Sequence, residues 1–351
     1  MIKEHPTRRG QLKGYLFEAI IRTLLERVGW RVANQEENGR VRITSRFNIE
    51  IKGRGTWHQI DTPCILIHRI PFIYPLRLLV ETKFYSREVQ KEAIRSFIGI
   101  IKDISENYFI DDIHGVDSQK RYTDLGTFFS ATGFQEEAVN LAFAHGIKTI
   151  SYRSNPLMDR IKKSIELIEA NGLSWAETIG VHGQYVFMQD LDELFKSFHQ
   201  KIEFFLSKYH GNGHAKLELE KLNNYLSELN ANFFGMTSAG VLLHFLSKES
   251  FPNELFQSTD EQFCRIYYEN INSRNIPMWL EFSADLKKRR FFFDVPPGLE
   301  KEIQRGWDVI GEKERQFDRI SVSYFIDGLF RSLILKIDKD WLERLKNRKI
   351  G

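Results

Sequence analysis

Apolar residues recur at helical spacing from Leu12 to Val28, through Leu16, Ala19, Ile20 and Leu24, and Gly29 closes the run. Trp30-Arg31-Val32 then starts a short strand, and Glu36-Glu37-Asn38-Gly39 predicts a turn. Residues 41–52 alternate partially, with β-branched and aromatic positions that predict a strand. Gly53-Arg54-Gly55 predicts a turn into a strand around Asp61. Extended runs follow at 65–70 and 76–84, separated by Pro71 and Pro75. Helical periodicity returns over 88–104 through Val89, Ala93, Phe97, Ile100 and Ile101. A strand at 127–131, a helix at 134–145 and a strand at 147–152 complete the pattern. Thr132 and Gln135 have the spacing of a capping box for that helix.

The order α, several β, α, β, α, β predicts a mixed α/β domain over residues 1–155, ending where Asn155-Pro156 marks a break. Residues 156–351 form the second predicted region. It is helix-rich to about Glu228, with a strand at 184–188 and a loop at 211–213, then α+β. Paired strands are expected at 276–282 with 290–295, and at 320–325 with 332–337. This half suits specificity, dimerisation or regulation, and contains no motif that converts directly into chemistry.

Chemistry concentrates between Gly53 and Phe84. Residues i and i+2 of a strand share a face, so Glu81 and Lys83 point one way while Val80, Thr82 and Phe84 point the other. Asp61 lies at the far end of the same expected hairpin. Two carboxylates and a lysine on neighbouring strands suit a divalent cation and the proton handling of phosphodiester hydrolysis. Asp61 and Glu81 are the expected Mg²⁺ ligands, with Mn²⁺ as a substitute, and the Thr82 carbonyl is a further candidate. Lys83 is expected to orient or deprotonate water. Glu18 completes the catalytic set from the first helix, and Gly14, one turn earlier, leaves room for a ligand backbone. His58 and Gln59 are secondary candidates for phosphate or metal-bound water.

Each residue also has a plainer reading. Glu-x-Lys is common on solvated strand edges, Asp61 beside Thr62-Pro63 suits a turn, and Glu18 has Arg22 at i+4. Elsewhere, His210 and His214 are a weak metal pair, and Gly53-Arg54-Gly55 lacks the helix and Lys-Ser/Thr of a phosphate loop. Phe291-Phe292-Phe293 after Lys287-Lys288-Arg289-Arg290 suits either base stacking or a buried strand.

Composition narrows the class. Hydrophobic residues at 42% and charged residues at 28% describe an ordinary globular protein. The polar start leads into no apolar core of a signal peptide, and the stretch 64–80 is broken by His68, Arg69, Pro71, Pro75 and Arg77. Two cysteines, Cys64 and Cys264, make neither a disulfide framework nor a structural zinc site. A cytoplasmic, non-membrane protein is expected. The net charge of +3 conceals an asymmetry: residues 1–100 carry 18 Lys and Arg against 10 Asp and Glu. A basic region near the candidate site suits a polyphosphate ligand such as DNA.

These motifs together resemble the PD-(D/E)XK nuclease superfamily, and within it the Mrr-like restriction endonuclease group. Gly14-Tyr15-Leu16-Phe17-Glu18 is similar to the helix with the family's first acidic residue. Gly53-x-Gly55 with His58-Gln59-Ile60-Asp61 corresponds to the motif aspartate, and Val80-Glu81-Thr82-Lys83 to the second acid and lysine. Thr132-Gly133-Phe134-Gln135-Glu136-Glu137-Ala138, then Ala142 and Gly146-Ile147, is similar to the late strand–helix–strand element. Ile60 stands where the nominal proline would be, and the interval from Asp61 to Glu81 is long, implying an extended hairpin or insertion around Pro71–Pro75 placed to touch substrate. The resemblance covers residues 12–152. It implies a restriction-endonuclease-like core, a mixed central sheet flanked by helices, and a Mg²⁺-dependent endonuclease cutting DNA, often as a homodimer. Restriction or defence against foreign DNA is the expected role. The alternatives are a structure-selective repair or recombination nuclease, and a non-catalytic nucleic-acid-binding or sensor protein on the same fold.

Overall fold

The computed structural model describes residues 11–33, 40–44, 49–68, 71–107, 121–179, 213–269, 276–296, 299, 300, 303, 309–326 and 329–349. The chain forms a mixed α/β structure of two compact units. The first comprises residues 1–149 and 161–226, the second residues 150–160 and 227–351. The division is discontinuous in sequence.

In the first unit, helix α1 (Gln11–Glu26) precedes strand β1 (Trp30–Val32), and Gly29 between them adopts φ +90°, a conformation open to glycine. The expected strand over 41–52 is two strands, β2 (Val41–Ile43) and β3 (Ile49–Lys52), joined with β4 (Trp57–Gln59) in a separate three-stranded antiparallel sheet. Asp61 is not within a strand. It occupies the bend between β4 and β5 (Thr62–Leu66).

The main sheet has the order β1-β5-β6-β7-β8, with β6 at Leu76–Lys83, β7 at Thr123–Ser130 and β8 at Lys148–Ser151. Strands β1, β5 and β6 pair antiparallel, whereas β6 and β7 pair parallel. A parallel neighbour requires a crossover, supplied by α2 (Lys91–Ser105); α3 (Glu136–Ala144) separates β7 from β8. Leu79 of β6 and Phe128 of β7 pack with Ile94, Phe97 and Ala138 of α2 and α3, and with Val41 and Ile51 of the small sheet. On the opposite face Phe84 meets Phe17 of α1 edge-to-face at 5.7 Å. Gly126 lies where a Cβ would stand 2.3 Å from Ile101, so α2 packs directly on the strand backbone.

Helix α4 (Pro156–Ile179) starts at the proline that suggested a domain break, a residue tolerated in a first helical turn. Its Ile161, Ile165 and Ile168 are buried, as are Leu219, Leu222 and Leu226 of α5 (Gly213–Ser227). Lys13 of α1 pairs with Glu169 of α4 at 3.0 Å, and Arg27 donates to the Leu226 carbonyl at 2.8 Å. These contacts bring residues 161–226 into the first unit.

The second unit is a closed seven-stranded barrel, in the order β10-β13-β12-β11-β15-β14-β9. The strands are β9 (Ala231–Thr237), β10 (Leu242–Ser247), β11 (Glu261–Tyr268), β12 (Met278–Phe282), β13 (Phe291–Phe293), β14 (Arg319–Ile326) and β15 (Leu329–Ile337). Antiparallel β9 and β10 close the barrel; β11 and β15 run parallel. The two strand pairs expected from sequence form, β12 with β13 and β14 with β15. Helices α6 (Val309–Phe317) and α7 (Lys339–Lys349) complete the unit. Phe291 and Phe293 are fully buried in the barrel core with Phe233, Phe245 and Phe282. This corrects the base-stacking alternative for those two rings. His244 lies between the Tyr152 hydroxyl and Asn232 Oδ1, each at 2.5 Å. Burial pushes His244 down to about 3. A neutral ring donating through Nε2 to Asn232 and accepting at Nδ1 from Tyr152 satisfies all three groups.

The expected strand at 184–188 and His210 lie outside the described residues, and His214 is exposed on α5. No helix among the described residues is long and apolar enough to cross a membrane.

Candidate active site

The β5–β6 hairpin sets the geometry. Thr62 pairs with Val80, so Asp61 arrives opposite Glu81. Strand alternation points Glu81 and Lys83 to the α2–α3 side and leaves Thr82 on the α1 side. The apolar run Leu78-Leu79-Val80 is buried and fixes this end of β6, while Glu81 and Lys83 remain half-buried.

Asp61 is anchored to β6. Its Oδ2 accepts the Thr82 backbone N–H at 2.8 Å and the Thr82 hydroxyl at 3.0 Å. Lys83 Nζ forms an ion pair with Glu81 Oε1. Burial, then the charge of Asp61, raises Glu81 to about 7, against the opposing pull of Lys83. Burial works against a charged Lys83, yet Asp61 and Glu81 together outweigh it and hold the ammonium above its usual range. Asp61, Glu81 and Lys83 are therefore one electrostatic cluster.

The remaining candidates are less closely drawn in. Glu18 is half-buried on α1, beside Phe17, whose ring contacts Phe84 just past Lys83. Among the described residues no group of three or more His, Cys, Asp or Glu side chains is gathered for a metal, so Glu18 does not join Asp61 and Glu81 in such a set. Arg22, the i+4 neighbour of Glu18, pairs with Glu26 at 3.5 Å. A Cβ on Gly14 would meet nothing within 4 Å, so packing does not demand glycine there.

His58 is engaged in holding the fold. Its Nε2 lies 2.7 Å from Asp103 Oδ2 of α2, and this hydrogen bond draws the Asp103 carboxyl below its usual range. The Gly55 N–H also reaches the Asp103 carboxylate, and Arg54 N–H donates to the Asp103 carbonyl. A Cβ on Gly53 would stand 2.0 Å from Asp103 Oδ2, so the Gly-x-Gly turn is shaped to receive that carboxylate. Gln59 is exposed at the end of β4. The expected capping box also differs. The N-cap of α3 is Gln135 with no side-chain cap, and the Thr132 hydroxyl donates to the Arg87 carbonyl instead.

The extended hairpin around Pro71–Pro75 lies at the other end of β6 from Lys83, about 23 Å along seven strand rises. It exposes Phe72, Ile73 and Tyr74 rather than bringing them to the carboxylates.

Two side chains at this end of the sheet escaped the sequence reading. The Thr82 hydroxyl positions Asp61, although alternation alone assigns it to packing. Lys162 of α4 donates to the Ala131 carbonyl at 3.3 Å, and Ala131 N–H donates to the Lys83 carbonyl at 3.1 Å. Lys162 had no legible signal, since it stands beyond the expected domain boundary.

No family model matches the chain, and no curated protein matches it. Among solved structures it matches the crystal structure of a protein of unknown function, AF1548, at 15% identity over 52% of this chain and 96% of that one. The TM-score is 0.28, below the level of a shared fold.

Proposed function

We propose that this chain is a Mg²⁺-dependent DNA endonuclease with a restriction-endonuclease-like core, acting in restriction or defence against foreign DNA. The observation that carries the reading is the clustering at the carboxyl end of β6, where Thr82 holds Asp61 opposite Glu81 and Lys83 pairs with Glu81. The antiparallel β5–β6 hairpin followed by a helical crossover to parallel β7 supports it, because it presents motif residues from adjacent strands at one sheet end. The resemblance to Mrr-like nucleases supplies the DNA substrate and the homodimer.

The donor set fits Mg²⁺. Two carboxylates close enough for Asp61 to raise Glu81 create a demand for positive charge, and the Thr82 carbonyl is an oxygen donor between the motif residues. Mg²⁺ commonly takes only one or two carboxylates and retains waters. When bound it supplies phosphate charge neutralisation and a more acidic water. Thr82 occupies one oxygen of Asp61 with two hydrogen bonds and so orients the carboxylate. Lys83 remains protonated at neutral pH and acts as a cation toward the phosphate and attacking water, rather than as the base.

The test is cleavage of supercoiled plasmid, methylated and unmethylated, alongside branched DNA, with Mg²⁺ or Mn²⁺ against EDTA. Metal-dependent nicking or linearisation abolished by Lys83→Ala, Asp61→Ala and Glu81→Ala is expected, with DNA binding retained. Branched DNA cut in preference to plasmid would move the role to repair. Tight binding without cutting of any substrate would replace the enzyme with a binding module.

A further inference from the structure

The small sheet β2–β3–β4 has two unlike faces. Val41 and Ile51 turn inward to the core of the first unit. The register places Arg42 opposite Glu50, Glu50 opposite Gln59, and Lys52 opposite Trp57, so these side chains share the outward face. On it, the Arg42 guanidinium lies 4.3 Å and the Lys52 ammonium 5.6 Å from the Trp57 ring centroid. Nε and a terminal nitrogen of Arg42 both reach Glu50 Oε2 at 2.6 Å. Glu50 thus orients Arg42 over the indole while offsetting part of its charge.

This surface offers N–H donors rather than an apolar face, because cations already occupy the tryptophan ring. Its partner is therefore expected to be rich in anionic oxygen. The surrounding sequence agrees: residues 40–53 contain Arg40, Arg42, Arg46 and Lys52 against a single acid, Glu50, while Arg54 pairs with Asp103 and Glu106. The sheet is also held firmly from beneath, through His58 on Asp103 and the Asn107 side chain on the Lys52 carbonyl. Trp57 precedes Asp61 by four residues, a span of at most about 14 Å. That is about four rises of 3.4 Å along one DNA strand.

We propose that the outward face of β2–β3–β4 is the surface on which the DNA backbone lies, with Arg42 and Lys52 on phosphates flanking the bond to be cut. The proposal rests on the nuclease reading and assigns where its substrate is held. The test is fluorescence anisotropy of a labelled duplex of about 30 base pairs, over a salt series, with Ca²⁺ replacing Mg²⁺ to withhold cleavage. The full-length wild type is compared with Lys52→Gln, with Arg42→Gln/Glu50→Gln, which removes the guanidinium without stranding a carboxylate, and with the triple variant. The triple variant is expected to bind at least about tenfold more weakly near 0.1 M salt, with a log–log salt slope shallower by about 1.8, at unchanged melting temperature. Wild-type affinity and slope in the triple variant, with the wild type binding and cutting DNA, would overturn this surface and leave the nuclease intact. A wild type that neither binds nor cuts DNA would overturn the nuclease reading and this surface together.

Discussion

Asp61 shows how one residue's role depends on a neighbour of another strand. The Thr82 hydroxyl and N–H both donate to its Oδ2, fixing a carboxylate that stands at a bend rather than within a strand. Thr82→Val removes only the hydroxyl donor, a loss of about 1.5 kcal/mol for a hydrogen bond to a carboxylate. The Mg²⁺ concentration for half-maximal cleavage should rise about tenfold, consistent with that energy. The rate at saturating metal should change little, and Thr82→Ser should restore the wild-type titration. An unchanged metal titration would remove Thr82 from the site.

Glu81 makes a second residue-scale prediction. Its folded-state value near 7 lies above the ordinary carboxylate range, so the folded protein binds the proton more tightly than the unfolded chain. The associated stability is fully present below the ordinary range and is lost as pH rises through 7. Wild type should therefore lose melting temperature between pH 5 and pH 8 relative to Glu81→Gln. A few degrees is the expected size, since 1 kcal/mol shifts a folded unit of about 150–250 residues by about 2–4 °C. Parallel pH profiles in metal-free melts would show that the Glu81 carboxyl is not raised in the folded protein.

At the level of elements, the turn between β3 and β4 is joined to α2 through one carboxylate. Asp103 accepts from His58 and Gly55 and lies where any side chain on Gly53 would intrude. Gly53 is thus explained by a helix about fifty residues away. Gly53→Ala should cost about 1–3 kcal/mol, since Asp103 must leave its partners. In an Asp103→Ala background the same change should cost little, a coupling readable by a double-mutant cycle in urea. Equal costs in both backgrounds would place the strain in the turn itself. A different logic joins β6 to β7, where Arg77 and Asp124 are register partners and form a buried two-point ion pair at 2.6 and 3.0 Å. Neither side chain can lose its partner cheaply.

On the scale of the molecule, the first unit depends on residues beyond the break at Asn155-Pro156. Lys13 finds Glu169, Arg27 finds the carbonyl of Leu226, and Lys162 reaches the end of β7. A fragment of residues 1–155 lacks all three and the buried faces of α4 and α5. It should show no cooperative thermal transition, whereas residues 1–226 should retain one by circular dichroism. Cooperative melting of the shorter fragment would mean that residues 161–226 are not needed for that unit to fold. The second unit illustrates closure: its aromatic strands become a core only when β9 meets β10.

The sequence by itself determined the features encoded over a few residues. Helical spacing in α1 and α2, alternation around Glu81 and Lys83, and the two C-terminal strand pairs were legible because side-chain period fixes which face a residue serves. The order Asp61, Glu81, Lys83 was legible for the same reason, since a hairpin brings its ends together. Tertiary structure alone decided that β2–β4 form their own sheet, that His58 is committed to Asp103, that Thr82 clasps Asp61, and that the C-terminal strands close into a barrel. It also decided that residues 161–226 belong with the first unit. Those outcomes depend on pairing between residues far apart in the chain, which local periodicity does not specify.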